Sequence, residues 1–254
     1  MVNIISSEFY KIFRSKIFYF ISTILLIMNG IALVAASIYA QKSSSFSAET
    51  NQQMVGTGIS SYQGSYSADL IFYIILIFVA CMITAEYSNG SIQQMVSRGI
   101  DRWKLVIGQY VAISSAVTLV LIVFGVFNLL IDTVLYQLGE VSISKFILMN
   151  IGIISMFWAI SGIGTFLSYL FKGGGIAIAI SVLFVISSNF ISQFLVVLTK
   201  NNVFLEYSLS NMRRVIIDFT SKSEDVVFIS IIFLLIGIVT VLGSSLLFWR
   251  RDID

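Results

Sequence analysis

Histidine and proline are absent from the 254 residues, and cysteine occurs once, at Cys81. Without histidine there is no Ser–His or Cys–His couple and no His-ligated metal, and one thiol cannot close a disulfide within a chain. The acids Asp69, Glu86, Asp132 and Glu140 fall at or near the ends of apolar runs, not in their middles. Ionisable groups at mid-membrane are costly and mark proton or ion relays. Their absence there argues against a proton-coupled carrier, a channel with charged rings, and an intramembrane aspartyl protease. Phosphate chemistry is missing too. GxxxxGK[ST] and GxGxxG do not occur, and the lysines followed by serine, Lys42 and Lys222, have no glycine loop before them. The reading is therefore no catalytic residue, no metal site and no cofactor held by this chain. If the chain moves a solute, a separate ATPase is the simplest source of energy.

The most informative spacing is EYSNGSIQQMVSRGIDRWK, residues 86–104. Asn89-Gly90 is a turn signal, and Ser91 is a plausible N-cap. Ile92, Met95 and Val96 then share one face of a short helix, which Gly99 ends; Asp101 can cap the next helix, which begins with Arg102-Trp103-Lys104. Such a helix, with its apolar face turned away from the membrane, needs a cover. A partner protein would supply one; folding back onto lipid headgroups is the competing reading.

The elements that must position this loop follow from composition. The chain is 57% hydrophobic and 11% charged, against about 45–50% and about 25% in a soluble domain. Crossing a hydrocarbon core takes about 20 apolar residues as a helix. Six such runs are expected, at 17–39, 69–85, 105–131, 146–171, 176–198 and 226–249. Lys172-Gly173-Gly174-Gly175 reads as a tight turn between the fourth and fifth. Nine cations then fall on one side (Lys11, Arg14, Lys16, Arg98, Arg102, Lys104, Lys172, Arg250, Arg251) and six on the other. The positive-inside rule places both termini in the cytoplasm.

Residues 1–16 are amphipathic. Phe9, Ile12 and Phe13 repeat at helical spacing with Ile5, while Glu8, Lys11 and Arg14 lie toward the other side. This predicts a helix in the headgroup plane in contact with membrane lipid, or else the solvated start of the first span. Residues 41–69 read as an exposed polar loop with a short helix around Glu49–Val55. In the outer segment 199–225, Leu205, Leu209, Met212, Ile216 and Phe219 form an apolar line. It predicts a helix on the outer leaflet or an extension of the fifth span. Gly152, Ser155, Ala159 and Gly162 form a small-residue row that lets helices approach closely. Asn128, Asn189 and Gln193 are neutral polar groups that either bond between helices or line a pathway.

With these pieces in place, the chain resembles the membrane-spanning subunit of type-2 ABC exporters, the permease group of small bacterial antibiotic, bacteriocin and toxin-peptide exporters. The resemblance covers most of the chain. It is carried by the amphipathic N-terminal helix, the six runs, the long outer stretch before the last one, and the tail Arg250-Arg251-Asp252. Its most specific part is Glu86, Asn89-Gly90-Ser91, Ile92–Val96, Ser97-Arg98 and Gly108; Gln109 stands where a lysine is usual. The resemblance implies an all-α polytopic membrane protein of a bacterial cell membrane. It further implies a coupling role for Glu86, Ser91, Ile92, Met95, Val96 and Arg98 against an ATPase, which carries the ATP and Mg. Two permease chains and two ATPase subunits would form the working unit, with no nucleic-acid partner. The aromatic-rich spans suit an amphipathic or antimicrobial/toxin peptide or a hydrophobic drug, although lipid-facing Phe accounts for the same composition. The competing functions are a non-transporting membrane immunity or anchor protein and an energy-independent carrier.

Overall fold

The computed structural model describes residues 1–44, 57–135, 137–201 and 203–250, and every regular element among them is helical. In chain order these are α1 (Val2–Arg14), α2 (Lys16–Ser44), α3 (Gly58–Ser67), α4 (Leu70–Ser88), α5 (Ser91–Ser97), α6 (Arg102–Leu135), α7 (Ile143–Phe171), α8 (Gly174–Thr199), α9 (Val203–Glu206), α10 (Leu209–Ile217) and α11 (Ser223–Arg250). Five of them, α4, α6, α7, α8 and α11, are long and apolar enough to cross a membrane. The first expected span lies within α2, whose described apolar part is Lys16–Met28. The short helix expected around Glu49–Val55 lies outside the described residues.

The chain punctuates these helices with simple local chemistry. Extended backbone at Ser15 separates α1 from α2, and the Ser15 hydroxyl accepts from the Ile17 N–H at 3.2 Å. Ser142 caps α7 by accepting from the Lys145 N–H at 3.4 Å. Lys172, in the left-handed region at φ 53°, ends α7, and Gly173 leads directly into α8. Glu224 and Asp225 lie in the first turn of α11 and Arg250 in its last, each complementing the helix dipole.

At the centre lies α7, packed along α11 and flanked by α4, α6 and α8. The small-residue row makes the α7–α11 seam possible. A Cβ at Gly162 would stand 2.5 Å from Thr240 Oγ1 and 3.2 Å from the Gly237 backbone, and one at Gly152 would stand 3.2 Å from Ser230 Oγ of α11 and 2.7 Å from Ile216 of α10. Ala159 is fully buried on the same seam, facing Gly237. By contrast α8 is the outlying helix, buried chiefly along Ala177, Ser181 and Val185.

Two expectations about the far end need correction. Residues 58–67 are not an exposed polar loop: α3 lies on α6 with Tyr62 and Tyr66 buried. Gly125 leaves the room for Tyr66, whose hydroxyl donates to the Leu121 carbonyl at 2.8 Å. Nor does the 199–225 segment extend α8 or lie as one helix on lipid. Lys200, at φ 53°, ends α8, and Ser208 breaks the apolar line by capping a new helix. The Met212 and Ile216 face of α10 packs on α7 and α11. Arg213, off the apolar line by spacing, is also buried; it pairs with Asp69 at 2.7 Å and sits 4.9 Å from the centre of the Phe72 ring.

Candidate functional site

The loop between α4 and α6 is built from two left-handed glycines and one short helix. Gly90, at φ 68°, turns the chain out of α4, and Gly99, at φ 84°, turns it out of α5. Both positions favour glycine because a Cβ is strained there. The N-cap of α5 is Gly90 and not Ser91. Ser91 is instead the first helical residue, and its hydroxyl donates back to the Glu86 carbonyl at 3.2 Å. Beyond Gly99, Lys104 pairs with Asp101. The Arg102 guanidinium donates to the Phe248 and Trp249 carbonyls, each at 3.2 Å. It thereby satisfies carbonyls that the end of α11 leaves without helical partners.

The apolar face of α5 turns into the protein and not away from it. Ile92 is 1% exposed and belongs to the central core, with Met95 and Val96 half-buried beside it. The outward face is polar: Gln93, Gln94, Ser97 and Arg98 are exposed. The cover expected from a partner or from headgroups is thus supplied by the chain itself.

Glu86, at the end of α4, is the hub beneath this loop. It is 8% exposed. One carboxylate oxygen accepts from Lys11 Nζ of α1 at 2.9 Å, and the other accepts from the Gln109 amide of α6. The Gln109 side-chain oxygen in turn accepts from the Tyr169 hydroxyl of α7. Lys11 also donates to Glu8 at 2.6 Å. Four helices are therefore joined by one relay: Glu8–Lys11–Glu86–Gln109–Tyr169. Two carboxylates share one ammonium in it. Burial first, and then the facing Glu86 carboxylate, push Glu8 up to about 7 from its ordinary 4.5. Burial opposes the charge of Lys11, but its bonds and attraction to both carboxylates outweigh that and hold its pKa above the ordinary 10.5.

This relay corrects the expectation for the N-terminal helix. Glu8 does not lie on a solvated face with Arg14; it is 3% exposed. The fully buried Ile12 lies near it, and Ile4 packs over Gly108, where a Cβ would come within 2.7 Å. So α1 docks on α6, with Ile4 over Gly108, and turns Glu8 and Ile12 into the protein. Phe9 stacks with Phe13 at 6.0 Å, and Phe13 meets Phe18 of α2 edge-on at 5.1 Å. Arg14 is exposed and donates to Tyr10. The remaining singled-out residues are not brought to this site. Asn128 is buried and bonds within α6, to the Phe124 carbonyl. Asn189 accepts from Ser210 at 2.7 Å, tying α8 to α10, and Gln193 is exposed. Gly152, Ala159 and Gly162 form the packing seam described above.

Among the described residues no group of acids, cysteine or histidine is placed to hold a metal ion. What the fold and this loop define is a multi-pass helical membrane protein whose α1, α4, α6 and α7 are joined at one end by a buried relay. A family model described as ABC-2 family transporter protein matches residues 4–188. The chain belongs to that family and is a permease subunit of a membrane transporter; such permeases partner with ABC ATPase subunits. No curated protein matches it.

Proposed function

We propose that α5 is the contact through which a partner ATPase drives this permease. The observation that carries the reading is the two-sidedness of the loop: a polar exposed face on α5, and beneath it Ile92 and Glu86 locked into the bundle. A push on Gln94, Ser97 or Arg98 moves a seven-residue helix whose Ile92 is inserted in the core. The displacement reaches α4 through the Gly90 turn, and through Glu86 it reaches α1, α6 and α7. Glu86 and Ile92 are then positioning residues, and the outer face of α5 is the docking surface. This places α1, the loop and both chain ends in the cytoplasm, in keeping with the cation bias. Two permease chains and two ATPase subunits form the working unit, and the substrate is an amphipathic peptide or apolar drug moved between the permeases.

The test uses the permease co-expressed with its ATPase and reconstituted in vesicles. Gln94→Glu combined with Arg98→Glu reverses the charge on the exposed face without touching the core. The expected result is an unchanged melting temperature, loss of co-purifying ATPase and loss of ATP-dependent substrate movement. Wild-type association and transport in this variant would overturn the assignment.

A further inference from the structure

We infer that the cavity between α2, α4 and α8 at the α1 end binds an anionic membrane amphiphile, its headgroup on Lys172 and its chain on the floor formed by Cys81 and Ile178. The cavity has a volume of about 500 Å³, within the usual range of ligand sites, about 300–1,000 Å³. It exists because α2 and α8 both pack on α4 while leaving a strip of α4 between them uncovered.

Its lining is ordered by depth. Lys172, Ser88 and Gln93 are exposed and form the mouth, whereas Cys81 and Ile178 are half-buried. Cys81 lies seven residues up α4 from Ser88, which is about 10 Å deeper along a helix. Ile178 lies four residues up α8 from Gly174, about 6 Å along that helix, and Ile17 of α2 adds to the apolar wall. A polar mouth over an apolar floor matches a molecule with a charged head and a hydrocarbon tail, and a soluble anion has no use for the floor. The sign of the head follows from the charges present. Among the described residues Lys172 is the cation of the lining, no acid lines it, and Lys172 has no ion-pair partner. Its ammonium stands 5.9 Å from the centre of the Tyr87 ring. The Lys172 backbone is left-handed, at φ 53°, a conformation that does not favour lysine. The cavity borders α5 through Ile92 and Gln93, while Gln94, Ser97 and Arg98, the positions substituted or pushed in the coupling reading, take no part in it.

The experiment uses the full chain in neutral detergent, with binding measured by native mass spectrometry and by the melting-temperature shift. The probes are phosphatidylglycerol, phosphatidylcholine and glycerol phosphate. Lys172→Asn keeps a residue that tolerates the left-handed backbone, and Lys200→Asn, at the other end of α8 with the same φ, is the matched control. Cys81→Phe fills the floor and leaves Lys172 in place. Phosphatidylglycerol is expected to bind and to raise the melting temperature. Lys172→Asn should weaken it about tenfold, as losing one charge-assisted contact does. Cys81→Phe should weaken it comparably, and Lys200→Asn should leave it unchanged. Equal binding of phosphatidylcholine, or equal loss in both lysine variants, would overturn the headgroup assignment. Glycerol phosphate binding as tightly as the lipid, or no effect of Cys81→Phe, would overturn the amphiphile.

Discussion

At the α1 end of the bundle, the helices are tied by a relay in which each group serves two neighbours: Lys11 holds Glu8 and Glu86, and Gln109 holds Glu86 and Tyr169. At the opposite end the ties are separate. Tyr62 donates to Asn150, Gln63 to the Ile217 carbonyl and Lys145 to the Phe219 carbonyl, and Arg213 pairs with Asp69. Removing one link from a buried relay strands the groups on both sides of it, whereas separate ties are lost one at a time. Cutting one link should therefore cost more at the α1 end than at the far end, which acts as a clamp of independent ties.

The largest expected effect is at the hub. Glu86→Ala should cost about 3 kcal/mol in detergent unfolding, at the lower end for breaking a buried ion pair because Lys11 is partly solvated and retains Glu8. Gln109→Leu should follow at about 2 kcal/mol, since it leaves Glu86 and Tyr169 each short of a partner. These two losses should fall short of additivity by at least ~0.5 kcal/mol in the double variant. Arg213→Met should cost about 1 kcal/mol, because the Asp69 side chain is 41% exposed and water can replace its partner. That loss should add to the one at Glu86. Equal costs at positions 86 and 213, or full additivity within the relay, would erase the distinction between the two ends.

A smaller and more specific effect is the response to pH. The groups facing Glu8 are Lys11 on its own helix and Glu86 from α4; Gln109 of α6 is neutral. Glu8 is raised from 4.5 to about 7 in the folded state, so the docked helix binds more protons than the released one between those values. Docking of α1 should weaken as pH rises through that window and stay level above it. Amide exchange in residues 2–14, followed from pH 5 to pH 8, measures this. Glu8→Gln should flatten the profile, and α10, at the clamp end, should show no such slope in either protein. A slope that persists in Glu8→Gln would assign the effect to another group.

The long apolar helices were legible because a run of about 20 apolar residues has few other uses. A row of small residues at positions 152, 155, 159 and 162 marked a face of close helix approach on α7, but not that α11 would fill it. Direction was not. Periodicity grouped Ile92, Met95 and Val96 on one face, but which way that face turns depends on what stands opposite, and the core stands opposite. The relay was hidden for a different reason: Lys11 and Glu86 are 75 residues apart, and nothing local marks one acid of thirteen as its partner. In α3 the Ser, Gln and Gly composition concealed Tyr62 and Tyr66, whose spacing of four was the available sign of a buried face.

Lysine in the left-handed conformation at position 172 has a practical consequence for engineering. Glycine would relax that backbone by about 1 kcal/mol, and three glycines already follow it. A screen for thermostable variants in plain detergent would therefore favour Lys172→Gly, and would discard the side chain without noticing. The same screen run in an acidic lipid would keep it. The choice of solubilising medium thus decides whether laboratory selection improves this protein or disarms it.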